Sequence, residues 1–259
     1  MMDTRFSFFK TRYALSVIGA LVLLIAWTWV SSLKMIKPVF LPSPAQVYNG
    51  VVELIEKGWL QKAIVLSTYR VLSAMFLVTL SGIIIGSLMG VSRLADGLLG
   101  GIISGLKSVP VTGFLGLVVL WFSIEERAKI IFLFLVSVFY MILLVRDALH
   151  NVHNVDYIDV AKDLGATNFQ LFTKVLFPSA LPQIYNAVIV SNSLMWSYIV
   201  LVEYINGNEE QTGLGYLIYI SSRTQDSAKV FGLLIVIALI ASLFDYILKQ
   251  SKKYFIRWS

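Results

Sequence analysis

An all-α membrane protein of about six transmembrane helices is the fold class this sequence predicts, and three observations predict it. Of 259 residues, 58% are hydrophobic and only 14% are charged, against about a quarter charged in a soluble domain. The charges are also clustered. Residues 13–33, 71–91 and 183–202 carry no Asp, Glu, Lys or Arg, and neither do the slightly shorter stretches 108–124, 130–145 and 230–244. Finally, the apolar runs are continuous, whereas the strands of an outer-membrane barrel alternate apolar and polar over about 10 residues. A helix needs roughly 20 mostly apolar residues to cross the hydrocarbon core, so the runs amount to about six spans. This excludes a soluble enzyme, a nucleic-acid-binding domain and a disordered tail, and no nucleic acid is expected as a partner. The net charge of +6 belongs to basic ends on the cytoplasmic side of a lipid bilayer. With no cysteine, disulfides, thiolate metal ligands and a Cys nucleophile are all ruled out.

Each element follows in order. Arg5, Lys10 and Arg12 precede the first apolar stretch, so residues 1–12 read as a cytoplasmic N-terminus. The stretch 13–33 has 21 residues, more than the about 7–15 of a signal-peptide core. No small-x-small cleavage site ends it, so it reads as a retained signal-anchor helix. Residues 34–70 form an external segment, in which Pro38, Pro42 and Pro44 forbid continued helix. Residues 45–62 read as an amphipathic helix with Val47, Val51, Leu54 and Ile55 on one face. The remaining five spans make a core over residues 71–248.

In the second span, of residues 71–91, Gly82, Gly86 and Gly90 line one face at intervals of four, where a neighbouring helix comes close. Packing inside one subunit is the first reading of that stripe. Arg93 and Asp96 mark a short cytoplasmic turn. Pro110, followed by Gly113 and Gly116, predicts a third span kinked or broken near its start. Glu125, Glu126, Arg127 and Lys129 form an aqueous loop before the fourth span, residues 130–145. Residues 150–182 are a cytoplasmic loop long enough to be a small subdomain. The fifth span runs from 183 to about 204, residues 206–229 form an outer loop, and the sixth span ends near 248. Residues 249–259, with Lys249, Lys252, Lys253 and Arg257, are a basic cytoplasmic tail. An even number of spans suits two cytoplasmic ends.

The cytoplasmic loop carries the most specific pattern in the chain. Two short helices meet at Gly165, which supplies a turn conformation other residues resist. Thr167 or Asn168 caps the second helix. Phe169 and Phe172, three apart, share one face of it. Pro178 and Pro182 are expected to break the chain before it re-enters the bilayer. The product is a stiff, partly aromatic knob suited to a groove on a soluble partner.

That segment strongly resembles the EAA loop of ABC-importer permeases, whose pattern is EAA, three residues, Gly, nine residues, then I-x-L-P. Asp159-Val160-Ala161 stands for EAA, Gly165 lies at the right distance, and Val175-Leu176-Phe177-Pro178 stands for I-x-L-P. Asp for Glu shortens the reach at the first position; the other departures keep character and spacing. Leu41-Pro42-Ser43-Pro44, Val109-Pro110, Leu120-Trp121-Phe122 and Gly213-Leu214-Gly215-Tyr216-Leu217-Ile218 are similar to the nitrate/sulfonate/taurine/bicarbonate branch.

The resemblance implies a type I ABC-importer permease fold and a multi-pass protein of the bacterial inner membrane with both termini cytoplasmic. It implies an assembly with a second permease copy, two cytoplasmic ATPase subunits and an external or periplasmic solute-binding protein. ATP and Mg would be bound by the ATPases: this chain has no G-x-x-x-x-G-K-[ST] loop, carries no cofactor of its own and is not an enzyme. Asp159, Ala161, Gly165, Phe169, Phe172 and Pro178 would couple it to the ATPase. The cargo would be a nitrate-, sulfonate-, taurine- or bicarbonate-like anion, or a vitamin precursor.

Outside the loop the candidates are fewer. Lys107, Trp121, Trp196 and Glu203 are possible pathway or gate residues, since ionisable groups near bilayer depth mark function. Lys107 and Glu203 also lie near predicted helix ends, where snorkelling to the interface accounts for them. His150 and His153 share a helix face, but no carboxylate or Cys completes a metal site. A self-sufficient secondary transporter is the alternative function, and it expects inverted repeats that the sequence does not display. An intramembrane enzyme would need a catalytic pair, and none is visible.

Overall fold

The structure is a computed structural model describing residues 3–33, 35–153, 157–204 and 212–256, with the side chains of residues 3–14, 153, 157 and 159 outside the description. Within it every regular element is a helix. The order is α1 (Asp3–Ser32), α2 (Pro44–Glu56), α3 (Trp59–Val91), α4 (Arg93–Ser108), α5 (Val111–Phe122), α6 (Glu126–His153), α7 (Tyr157–Asp163) and α8 (Asn168–Leu171). A π-helical turn (Phe172–Leu176) follows, then α9 (Phe177–Glu203), α10 (Leu214–Arg223) and α11 (Ser227–Phe255). Among the described residues five rods are long and apolar enough to cross a bilayer: 15–32 of α1, α3, most of α6, α8 through α9, and α11. The helices α4 and α5 make a sixth candidate as a pair bent by 96°. The all-α class with about six spans is borne out in this form. Residues 206–211 of the expected outer loop, and Arg257 of the basic tail, lie outside the described residues.

The break in the third span falls where the proline put it. Val109 is extended (φ −69°, ψ 133°), the conformation that a following proline imposes. The 12 residues of α5 rise only about 18 Å, short of the roughly 30 Å hydrocarbon core. The expected turn at Arg93 and Asp96 is tighter than the sequence suggested. Ser92 alone separates α3 from α4, accepting a hydrogen bond from the Ala95 N–H at 3.2 Å, and Asp96 already lies in the first turn of α4.

One compact unit comprises residues 1–61 and 217–236. Its amphipathic helix is α2, and it stops at Glu56 rather than running to 62. Gly58 adopts a left-handed conformation (φ 68°), the usual way to end a helix, and α3 starts at Trp59. Ser43 and Gln46 close a capping box at the start of α2 with bonds of 2.8 and 3.3 Å. Val47 and Leu54 are buried, and α2 packs on the first turns of α11, where a Cβ on Gly232 would sit 2.4 Å from Val51. Glu53 ties the two helices, 2.6 Å from Lys57 and 2.9 Å from Lys229. These two ammonium groups, Lys57 foremost, hold its carboxyl at about 2. The tie is therefore present above the ordinary carboxylate range and lost only as pH falls toward that value.

The second unit comprises residues 62–216 and 237–259, and its core lies where α6 packs along α9. Phe132, Leu133, Met141 and Leu149 of α6 and Ala187, Met195 and Ile199 of α9 are buried there. The glycine stripe of α3 packs on α6 within the chain. A Cβ at Gly82 would lie 2.2 Å from Met141 Cγ; at Gly86, 2.6 Å from the Ile142 carbonyl; at Gly90, 2.7 Å from Leu149 Cβ. The stripe is thus spent inside the subunit. Because Gly86 is closed by backbone, Gly86→Ala should destabilise the purified protein by about 1–3 kcal/mol through overpacking. Gly101→Ala on α4, with open space around it, should be neutral or gain up to about 1 kcal/mol from helix propensity. Thermal unfolding of both variants in detergent checks the contrast in sign.

Candidate functional site

The loop between α6 and α9 is built as a projecting knob. Its first arm, α7, ends at Asp163, and Gly165 reverses the chain with φ 81°, a Cβ there meeting no atom within 4 Å. The Gly165 N–H donates to the Lys162 carbonyl at 2.8 Å and the Ala166 N–H to the Ala161 carbonyl at 3.0 Å. Thr167 then caps α8 through a reciprocal pair with Gln170, of 3.0 and 3.3 Å. Leu164 and Phe169 stand out at the tip, 84% and 76% exposed. Phe172 does not join them: it is half-buried, its ring 5.7 Å from that of Phe177. Ala161 is half-buried on α7, while the Asp159 side chain lies outside the described residues.

The two prolines do not break the chain. Helix continues from Asn168 to Glu203, with Pro178 in the first turn of α9 and Pro182 inside it. For Pro178 the physical reason is the π-turn at Phe172–Leu176, where the Phe177 N–H bonds the Phe172 carbonyl, five residues back. A proline ring clashes with the carbonyl four residues before it, which for Pro178 is Lys174, within the widened turn. The extra residue per turn supplies the room.

At the other end of the α6–α9 pair lies a buried ionic cluster. Glu203, 1% exposed, ends α9. Arg70 of α3, fully buried, donates from Nη1 to Glu203 Oε1 at 2.6 Å and from Nε to Glu126 Oε2 at 2.7 Å, with a further Nη2 bond to Glu126 Oε1. Lys129 donates to Glu126 at 3.3 Å. The Ser67 hydroxyl donates to the Glu203 carboxylate at 2.8 Å and accepts from the Leu214 N–H at 2.9 Å. The Gly215 N–H donates to Glu203 Oε2 at 2.8 Å. Glu203 and Ser67 therefore cap α10 from two other helices, answering backbone donors that a helix start leaves open and placing negative charge at its positive end. Glycine is required for this approach. A Cβ at Gly213 would fall 2.3 Å from the Glu203 carboxylate, and one at Gly215 would fall 2.7 Å from the Val200 carbonyl.

The other expected pathway residues are dispersed. Lys107 ends α4 with its ammonium 5.7 Å above the Tyr140 ring, a cation–π contact. Trp121 is exposed at the end of α5, whereas Trp196 is buried against Phe244 with ring centroids 5.8 Å apart. Glu203 does not snorkel; it is enclosed within this chain. His150 is half-buried at the end of α6, and the His153 side chain lies outside the described residues.

Comparison with known proteins bears on what the knob and the bent third span serve. Residues 79–258 match the family of binding-protein-dependent transport system inner membrane components. The chain belongs to that family. It is 31% identical over 254 residues to the taurine transport system permease protein TauC of Escherichia coli K12, covering 95% of this chain and 90% of that one. It is 30% identical over 235 residues to the putative aliphatic sulfonates transport permease protein SsuC of the same strain, covering 90% and 87%. The fold matches a chain of the inward-facing MetNI methionine ABC transporter with a TM-score of 0.61 at 19% identity, over 78% of this chain and 97% of that one. This protein is a permease subunit of a binding-protein-dependent ABC importer, a multi-pass inner-membrane component and not an enzyme.

In this permease the knob was legible from spacing, but Arg70, Ser67 and Glu126 were not. Only Glu203 and the Gly213-x-Gly215 pair hinted at them. A buried charge left without its partner costs about 3–5 kcal/mol, while replacing both partners by apolar groups is often close to neutral. Arg70→Met should therefore lower stability in detergent by about 3 kcal/mol or more, and adding Glu203→Met should restore part of the loss. With Glu203→Met measured alone as well, a double variant whose loss equals the sum of the two single losses would show that the pair is not coupled.

Proposed function

We propose that two copies of this permease form the path for a small anion, delivered by an external binding protein and driven by two cytoplasmic ATPases that dock on residues 157–172. ATP and Mg belong to those partner chains. The observation that carries the reading is the shape of the knob. A glycine turn and a capped helix hold Leu164 and Phe169 out in water, an arrangement that lowers the cost of binding by ordering the anchor beforehand. Asp159, Ala161, Gly165, Phe172 and Pro178 shape and support it, with Phe169 as the contact. The near-full-length similarity to permeases named for taurine and for aliphatic sulfonates favours a sulfonate as cargo.

We assign the knob and both termini to the cytoplasm, with residues 1–12 and 249–259 as basic ends and residues 34–58 outside. The bent pair α4–α5 then counts as one crossing, because a re-entrant pair would put the knob and the N-terminus on opposite sides. The basic tail supports this parity. The second permease is taken as another copy of this chain, and the glycine stripe does not form the seam between them, because α6 occupies it.

One experiment tests docking, orientation and pairing together. Purified ATPase subunit is added to inside-out and to right-side-out vesicles from cells carrying only the permease. It should bind the inside-out vesicles alone and be captured in a complex of two permeases and two ATPases. Phe169→Ala with Leu164→Ala should still insert yet lose most binding, since each buried apolar contact is worth about 2 kcal/mol. Binding to right-side-out vesicles would overturn the orientation, unchanged binding of the variant would overturn the docking surface, and one permease per two ATPases would overturn the pairing.

A further inference from the structure

Where α9 and the last turns of α11 run side by side, they leave an open cleft of about 530 Å³ lined by Asn186, Ile189, Val190, Lys249, Lys252 and Lys253. The walls are fixed rather than loose. The Tyr185 hydroxyl shares a hydrogen bond with Ser251 Oγ, and Lys252 Nζ donates to Asn186 Oδ1 at 2.9 Å. Charge in the cleft is of one sign: among the described residues three ammonium groups and no carboxylate line it, and Asp245, beyond its rim, lies 4.0 Å from Lys249. Asp245 is itself engaged above the cleft by Asn192 at 2.8 Å and Ser193 at 3.3 Å. Among the described residues no carboxylate pairs with Lys252 or Lys253.

The level of the cleft in the bilayer follows from sequence. The uncharged stretch 230–244 lies directly N-terminal to it. Tyr254 and Phe255, both well exposed and packed edge to face with centroids 5.6 Å apart, follow it directly. Aromatic side chains of this kind sit at headgroup depth. Lysines there have methylene stems along apolar wall and ammonium groups at the polar boundary.

We propose that this cleft binds an anionic phospholipid, its phosphate held among Lys249, Lys252 and Lys253 and its first acyl carbons against Ile189 and Val190. A phosphate monoanion would satisfy the lysines equally. The apolar wall, which a free ion leaves exposed, is what selects a lipid. The site would tie the end of α11 to α9 through a membrane component, on the same side of the bilayer as the knob, and it is independent of how the cargo is recognised.

The test uses full-length permease in nanodiscs of phosphatidylcholine doped with phosphatidylglycerol, with retained lipid counted by native mass spectrometry after release. Wild-type protein should retain phosphatidylglycerol in preference to phosphatidylcholine. The triple variant Lys249→Gln, Lys252→Gln, Lys253→Gln should retain at least about tenfold less. A control changing Lys37, Lys57 and Lys62 should retain as much as wild type. Should the triple variant fail to insert, Ile189→Trp, which fills the cleft without removing charge, serves in its place with the same expected loss. Inorganic phosphate at millimolar concentration should leave retention unchanged, and displacement of the lipid by phosphate would overturn the assignment in favour of a free-anion site. Equal retention by wild type and triple variant, or ATPase binding lost while lipid retention is unchanged, would also overturn it, the second outcome marking the cleft as a protein contact.

Discussion

Glu203 ends a membrane helix with its carboxylate enclosed by protein, and a charge so placed must be answered from within the chain. The answer comes from three directions: the Arg70 guanidinium, the Ser67 hydroxyl and the backbone of Gly215. Each demand generates another. Arg70 needs a second carboxylate, which Glu126 provides at the first turn of α6. Glu126 is balanced in turn by Lys129. Ser67 and Glu203 can reach the start of α10 only because residues 213 and 215 lack a Cβ. One buried ion pair thus joins the first half of α3, the start of α6, the end of α9 and the first residues of α10. Such clusters are poor sources of net stability, since desolvation offsets most of the attraction. Their contribution is to define one arrangement.

The cluster and the knob lie at opposite ends of the same two rods. Glu126 opens α6 and the knob follows its close; the knob precedes α9 and Glu203 ends it. The 28 residues of α6 span about 42 Å, the thickness of a bilayer with its headgroups. Dense packing between α6, α9 and the glycine face of α3 makes these rods stiff, and stiff packed elements transmit displacement rather than absorb it. An importer that draws work from a partner on one side and opens a path on the other needs such a connection. The π-turn at Phe172–Leu176 marks where the rod departs from regular helix, directly above the knob, and departures of this kind recur at functional places in helices.

Much of this was legible in the sequence because membrane solvation leaves few choices. Uncharged runs had to be helices, Pro110 had to interrupt one, and Gly165 with Thr167 had to turn and restart the chain. What stayed hidden depends on long-range contact or on compensation between neighbours. Arg70 and Glu203 are 133 residues apart, and no local spacing announces them. Arg70 sits near the start of an apolar run and reads as the end of a loop. Pro178 misled because its usual effect assumes an α-helical preceding turn, and here that turn is π-helical; Pro182 lies inside α-helix that continues through it. Gly58, by contrast, was a readable stop that the amphipathic pattern through residue 62 masked.

On this reading the chain forms a transport path that works only when ATPases drive it. Proteoliposomes holding the permease alone, the permease with its ATPase, or both with the solute-binding protein outside separate this from a self-sufficient carrier. Uptake of labelled taurine or another small sulfonate should require all three proteins and internal ATP, and should be indifferent to proton or sodium gradients. Uptake by the permease alone under an ion gradient would contradict the account.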